Sequence, residues 1–123
     1  MKDSVIAEKT VDFAVRIVKF YKYLCDEKKE YVLSKQILRS GTSIGANVRE
    51  SKNAQSKADF ISKLNIALKE ADETQYWLEI MVKSDLIKEN QVEALNKDLK
   101  EIIAMLVASI KTLRRNGKLK TEN

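Results

Sequence analysis

Proline is absent from this chain, and glycine occurs only three times in 123 residues. Those two residues are the main punctuation of a fold, because proline breaks helices and glycine weakens them, so long uninterrupted helices become the default. Histidine is also missing. Its absence removes Ser-His-Asp chemistry, histidine-containing zinc sites and the Glu-x-x-His motifs of di-iron bundles. The single cysteine, Cys25, has no intrachain disulfide partner. It ends an apolar stripe with Tyr21 and Leu24, where it reads as a small buried hydrophobe, since a catalytic thiol wants an activating base. No apolar run approaches the roughly 18 residues that a spanning helix needs, so no membrane partner is expected. The N-terminal MKDSVIAEKTVDF carries acids where an export signal would be apolar, which predicts a cytoplasmic protein.

The size fits one domain, expected over 1–116, followed by a frayed basic tail at 117–123. A hydrophobic fraction of 44% and a charged fraction of 33% fit a helix-rich globular protein. The net charge of +5 is unevenly spread. Residues 31–57 hold five basic groups against Glu50, and residues 111–123 hold five against Glu122, whereas 58–110 carry six basic and ten acidic groups. The molecule is electrically banded.

Four segments repeat apolar residues at helical spacing. In the first, Phe13, Ile17, Phe20 and Leu24 form one stripe, and Val11, Ala14, Val18 and Tyr21 form a second beside it. So wide a face predicts burial against two neighbours, one of them another subunit. Asp26–Glu30 reads as a connector. The second helix, expected from about Tyr31 to Ser51, has Leu33, Ile37, Ile44 and Val48 as its apolar positions, with Gly41 and Gly45 between and beside them. Glycine in a helix costs about 1 kcal/mol relative to alanine, so the pair predicts a close approach of two helices. Ser56-x-x-Asp59 reads as a capping box opening a third helix over about Ala58–Ser84, with Lys69/Glu73 and Glu79/Lys83 as ion pairs one turn apart. Asn90 reads as the N-cap of a fourth helix, whose seam is Val92, Leu95, Leu99, Ile102, Leu106, Ile110 and Leu113, and Gly117 as its stop. Four such helices on short connectors predict an all-α, antiparallel up-down-up-down four-helix bundle.

RSGTSIGANVRE followed by ADFISKLNIALKEADETQYWLEIM resembles the four-helix-bundle family known from open reading frames in intervening sequences of bacterial 23S rRNA genes. The positions that carry the resemblance are Gln36, Arg39, Ser40, Ser43, Ile44, Asn47, Glu50, Phe60, Leu64, Ala67, Glu70, Glu73 and Leu78. It is strongest over 33–81, and the first and last helices fit in length and pattern. The resemblance implies a cytoplasmic bundle whose relatives form homopentameric rings. The accessory variability protein of diversity-generating retroelements, which works with a reverse transcriptase and nucleic acid, is similar in fold. That analogy transfers no mechanism.

Arg39, Ser43, Asn47 and Glu50 share one face of the second helix, and Glu70 and Glu73 share one face of the third. The spacing predicts a structural polar network, with Arg39 bonded to one of those glutamates and Ser43 and Asn47 completing it. Nothing among them pairs a nucleophile with a base, so a non-enzymatic protein without cofactor or metal is expected. The competing enzymatic reading is a magnesium-dependent nucleotide pyrophosphohydrolase built on Glu50, Glu70 and Glu73. It needs a second Glu-x-x-Asp pair, and the chain has none. Tyr76 and Trp77, being adjacent, cannot both face the core, which marks one as interfacial.

Arg49, Lys52 and Lys57 end the second helix and open the third, while Lys111, Arg114, Arg115, Lys118 and Lys120 end the fourth. Even-numbered helices run the same way in this topology, so both groups are expected at one end, as a candidate surface for RNA or DNA. The same cations would also complement helix C-termini and keep a surface soluble. The function expected is an oligomeric scaffolding or binding protein, with a purely protein-binding adaptor as the reading that differs only in partner.

Overall fold

The computed structural model describes residues 3–122, and the side chains of 5–116 within them. Four helices account for most of it: α1 (Asp3–Asp26), α2 (Leu33–Ser51), α3 (Lys57–Lys83) and α4 (Glu93–Glu122), with a 3₁₀ turn at Glu89–Gln91. Their order and direction follow from the residues that meet. Between α1 and α2, Cys25 faces Ser34, Ile17 faces Gly41 and Thr10 faces Gly45. Between α1 and α4, Lys9 pairs with Glu101 and Arg16 with Asp98, and Tyr23 meets Gln91 of the turn that leads into α4. In both ladders one number rises as the other falls, so the neighbours are antiparallel. The helices form a four-membered ring of contacts in chain order, with α2 against α3 and α3 against α4.

One apolar core fills the bundle. Ile6, Phe13, Ile17 and Leu24 of α1 meet Ile37, Ile44 and Val48 of α2, Leu64, Leu78 and Met81 of α3, and Leu99, Ile102 and Leu106 of α4. All the stripes expected of the four helices point here except the second stripe of α1. There Val11 is exposed, as is Val15 beside it, and Ala14, Val18 and Tyr21 are half-covered. Cys25 at its end is half-buried, 3.8 Å from the Ser34 hydroxyl, and a hydrogen bond with its thiol holds the Tyr21 hydroxyl above the ordinary range.

The helix ends depart most from expectation. Lys29 adopts a left-handed conformation (φ 53°), and Glu30 then caps α2, its carboxylate accepting from the N–H groups of Val32, Leu33 and Ser34 at 2.8–3.1 Å. The helix therefore begins at Leu33 rather than Tyr31. Ser56 does cap α3, its hydroxyl accepting from Asp59 N–H, but the Asp59 carboxylate reaches Gln55 N–H instead of closing the box on Ser56. At the far end of α3, Asp85 takes the left-handed position (φ 62°) usual for glycine. Leu86 N–H donates to Met81 and Asp85 N–H to Val82, the two bonds of a Schellman ending.

Asn90 is not the N-cap of α4. It sits inside the 3₁₀ turn, whose Gln91 amide accepts from Lys88 N–H, and the burial of Ile87 and Val92 draws this turn across the bundle end. Gly117 does not end α4 either; the helical backbone passes through it to Glu122, as a helix can at a cost of about 1 kcal/mol. The side chains of the tail, including Lys118 and Lys120, lie outside the described residues. Among the described residues no helix is long and apolar enough to cross a membrane.

Candidate functional site

Two polar features stand out on this scaffold, one on the outer face between α2 and α3 and one at the end where α2 stops. On the first, Arg39 reaches across from α2 and donates one guanidinium nitrogen to Glu70 Oε2 at 3.2 Å and another to Glu73 Oε2. The Trp77 indole N–H donates to the same Glu73 oxygen at 3.0 Å. Beneath them the Ser40 and Thr74 hydroxyls lie 2.9 Å apart, both fully buried, and Thr74 also bonds its own helix at the Glu70 carbonyl. The arrangement ties α2 to α3 at one height and fixes their register. It holds one cation and two carboxylates, with Arg39 half-exposed, so its electrostatic contribution is that of a surface cluster.

The other residues of the expected network go elsewhere. Ser43 donates to the Arg39 carbonyl at 2.6 Å and Asn47 to the Ser43 carbonyl at 2.9 Å, both within α2. Each has an accepting carbonyl one turn back, always within reach of a short side chain, and neither needs a partner on α3. Glu50 is exposed near the end of α2. It stands three turns beyond Arg39, ~16 Å along the axis at about 1.5 Å per residue. Antiparallel α3 carries Glu70 and Glu73 no closer, so the three carboxylates proposed for magnesium do not converge, and two of them are already engaged by Arg39. Among the described residues no three His, Cys, Asp or Glu side chains group to hold a metal ion. Lys69 does not take Glu73 as its ion partner, while Glu79 and Lys83 do pair, at 3.1 Å.

Of the two adjacent aromatics, Tyr76 faces outward and Trp77 packs on the core, with the rings edge to face at 5.1 Å. Tyr23 is also engaged, stacked on Phe20 and accepting from the Gln91 amide at 2.9 Å. Tyr31 is exposed.

The second feature lies at the end of the bundle. Lys52, Ser56, Lys57 and Phe60, from the α2–α3 junction, face Leu113 and Asn116 of α4 across an open groove of about 530 Å³. Arg114 and Arg115 sit in sequence between those two lining residues of α4, and both are exposed. Arg49 in the last turn of α2 and Lys111 on α4 are exposed within about one turn of the groove. Thus the basic groups of residues 49–57 and 111–115 gather at one end, as the topology demands. Phe60 and Leu113 are half-covered and packed against the core, so the floor between the cations is apolar. Asp59, next to Phe60 in sequence, is turned to Gln55 N–H.

Sequence patterning missed three contributors. Thr74 and Ser40 are small residues at core-facing positions, and their mutual bond has no periodic signature. The indole of Trp77 as a donor to Glu73 was detectable in principle, because the two are four residues apart on one helix. The groove had no signal at all, since it exists only where two distant segments close on each other.

Comparison with known proteins agrees with this architecture. No curated protein matches the chain. A crystal structure of a protein of unknown function from the S23 ribosomal protein family of Bacteroides thetaiotaomicron is similar, with 59% sequence identity and a TM-score of 0.88 over 90% of this chain and 99% of that one. The family model for the 23S rRNA-intervening sequence protein matches residues 2–108, spanning all of the first three helices and half of the fourth. The chain belongs to the 23S rRNA-intervening sequence protein family.

Proposed function

We propose that this chain is a non-enzymatic cytoplasmic scaffold that assembles into a homopentamer and binds RNA or DNA through the basic end of its bundle. The observation that carries the reading is the meeting of Lys52 and Lys57 with the α4 segment that brackets Arg114 and Arg115. With Arg49 and Lys111 these make six cations at one end, against Glu50 and Asp59 nearby. A linear chain of phosphates is the natural complement of such a patch, and a ring of five copies would multiply its field.

Assembly is supported by the second stripe of α1, where Val11, with Val15 beside it, stands in water in a single copy. Scattered surface valines are ordinary, but Val11 and Val15 lie beside Ala14, Val18 and Tyr21 on one face of the helix, where a neighbouring subunit would cover them together. The subunit number follows the relatives that the sequence resembles.

The test is a titration of labelled RNA and DNA oligonucleotides against the protein over a series of salt concentrations. Neutralising six phosphates predicts a slope of log K against log[salt] of about −5 for a duplex and about −4 for a single strand. Absence of binding at low salt, or affinity indifferent to salt, rejects the nucleic-acid reading. Light scattering that returns the mass of one subunit rejects the assembly.

A further inference from the structure

We infer that the groove at the basic end seats an unstacked nucleobase, so that the ligand of this surface is a single-stranded polynucleotide rather than a duplex. The inference rests on the nucleic-acid reading above and names its substrate class. Cations alone suffice for phosphates, and a purely electrostatic site needs no recess. Here the cations surround one, and its floor is Phe60 and Leu113. A duplex presents phosphates and sugars on its outside and would leave that floor empty. A single strand can turn a base out and lay its flat apolar face on an aromatic ring, as single-strand binding proteins do.

The dimensions and chemistry agree. The groove's 530 Å³ lies within the range of about 300–1,000 Å³ typical of small-molecule pockets, which accommodates a base with its sugar. Lys52 and Lys57 stand on its border, where the phosphates on either side of a seated base would run. Lys57 is also the first residue of α3, so the positive end of that helix faces the same place. The Ser56 hydroxyl is committed as the cap of α3, accepting from Asp59 N–H. Asn116 is the lining amide that can meet a base edge, since an amide offers both a donor and an acceptor. One such group gives little discrimination, so the seat is expected to accept any base.

The experiment measures fluorescence anisotropy with four labelled probes of about 12 nucleotides, a length within the span of known single-strand sites: single-stranded RNA, single-stranded DNA, a DNA duplex and an abasic DNA strand. The wild-type protein is expected to bind both single strands about tenfold more tightly than the abasic strand or the duplex. Phe60→Leu keeps an apolar side chain against the core but removes the ring. It is expected to bring single-strand affinity down to that of the abasic strand and leave the abasic and duplex affinities where they were. Phe60→Trp is expected to retain single-strand binding, which separates loss of the ring from damage to the fold. If the abasic strand binds as well as the intact one, or Phe60→Leu changes nothing, the base seat is overturned while salt-dependent binding to all probes preserves the charge reading. If no probe binds at low salt, both readings fall.

Discussion

A β-carbon on Gly41 would stand 2.8 Å from Ile17 Cγ1 and 2.9 Å from Ile17 Cγ2, closer than packed atoms come. Both residues are fully interior, so α1 and α2 touch there with no room for a methyl group. Gly41→Ala gains about 1 kcal/mol of helix propensity but must push a β-branched side chain out of a filled core, a change that costs about 1–3 kcal/mol and occasionally more. Net destabilisation is expected in urea unfolding, with a smaller penalty for the double variant Gly41→Ala/Ile17→Ala than the two single changes sum to. Gly45 is the contrast. Its β-carbon would meet Thr10 at 3.2–3.3 Å, tight but not impossible, so Gly45→Ala should fall close to neutral.

That contact explains why so much of the fold could be read from residue order. Ile37, Ile44 and Val48 recur at helical spacing, and two glycines set among them have no use in an isolated helix, so a close neighbour was implied. What periodicity could not carry was the behaviour of single side chains at helix ends. Glu30 caps α2 from outside it, and Asp85 takes a left-handed conformation that most side chains avoid. The polar site divides in the same way. Arg39, Glu70 and Glu73 are long and charged, so facing positions bring them together, whereas Ser43 and Asn47 have a carbonyl of their own helix nearer than any partner.

Trp77 is the only tryptophan, so its emission reports on the Arg39–Glu73 cluster directly. Glu73→Ala removes the acceptor of the indole N–H and one partner of Arg39 together. A shift in the emission maximum is expected, with a stability loss of about 1 kcal/mol, since the guanidinium is half in water. Arg39→Ala should leave the indole bond intact and the emission nearly unchanged. Equal spectral changes in both variants would mean that Arg39, not Glu73, positions the ring.

The Glu101 carboxyl is held below its ordinary range, first by its hydrogen bond to Lys9, 2.5 Å away, and then by the charge of that ammonium. A carboxylate whose pKa is depressed by folding contributes stability that is fully present above its unfolded value. That contribution is lost as pH falls through the lower folded value. Wild-type protein and Glu101→Gln should therefore differ by a constant amount from neutrality down to about pH 5, and converge below it. Thermal unfolding across that range, repeated in high salt, checks it; because the pair is on the surface, salt should shrink the difference.

The exposed stripe on α1 offers a test of assembly that spares the core. Val11 and Val15 are 43% and 48% exposed in a single copy, so a lysine at either position can keep its ammonium in water. In an isolated subunit Val11→Lys/Val15→Lys should thus change stability by no more than about 0.5 kcal/mol per site. If another copy covers the stripe, the same substitutions place like charges inside an apolar contact, where leaving a charge unpaired costs several kcal/mol. The expected result is a helical protein whose light-scattering mass falls to that of one 14.1 kDa chain. Unaltered mass with unaltered helicity would show that subunits meet on some other face, and the outer face of α3 bearing exposed Tyr76 and Ile66 would be the next to test.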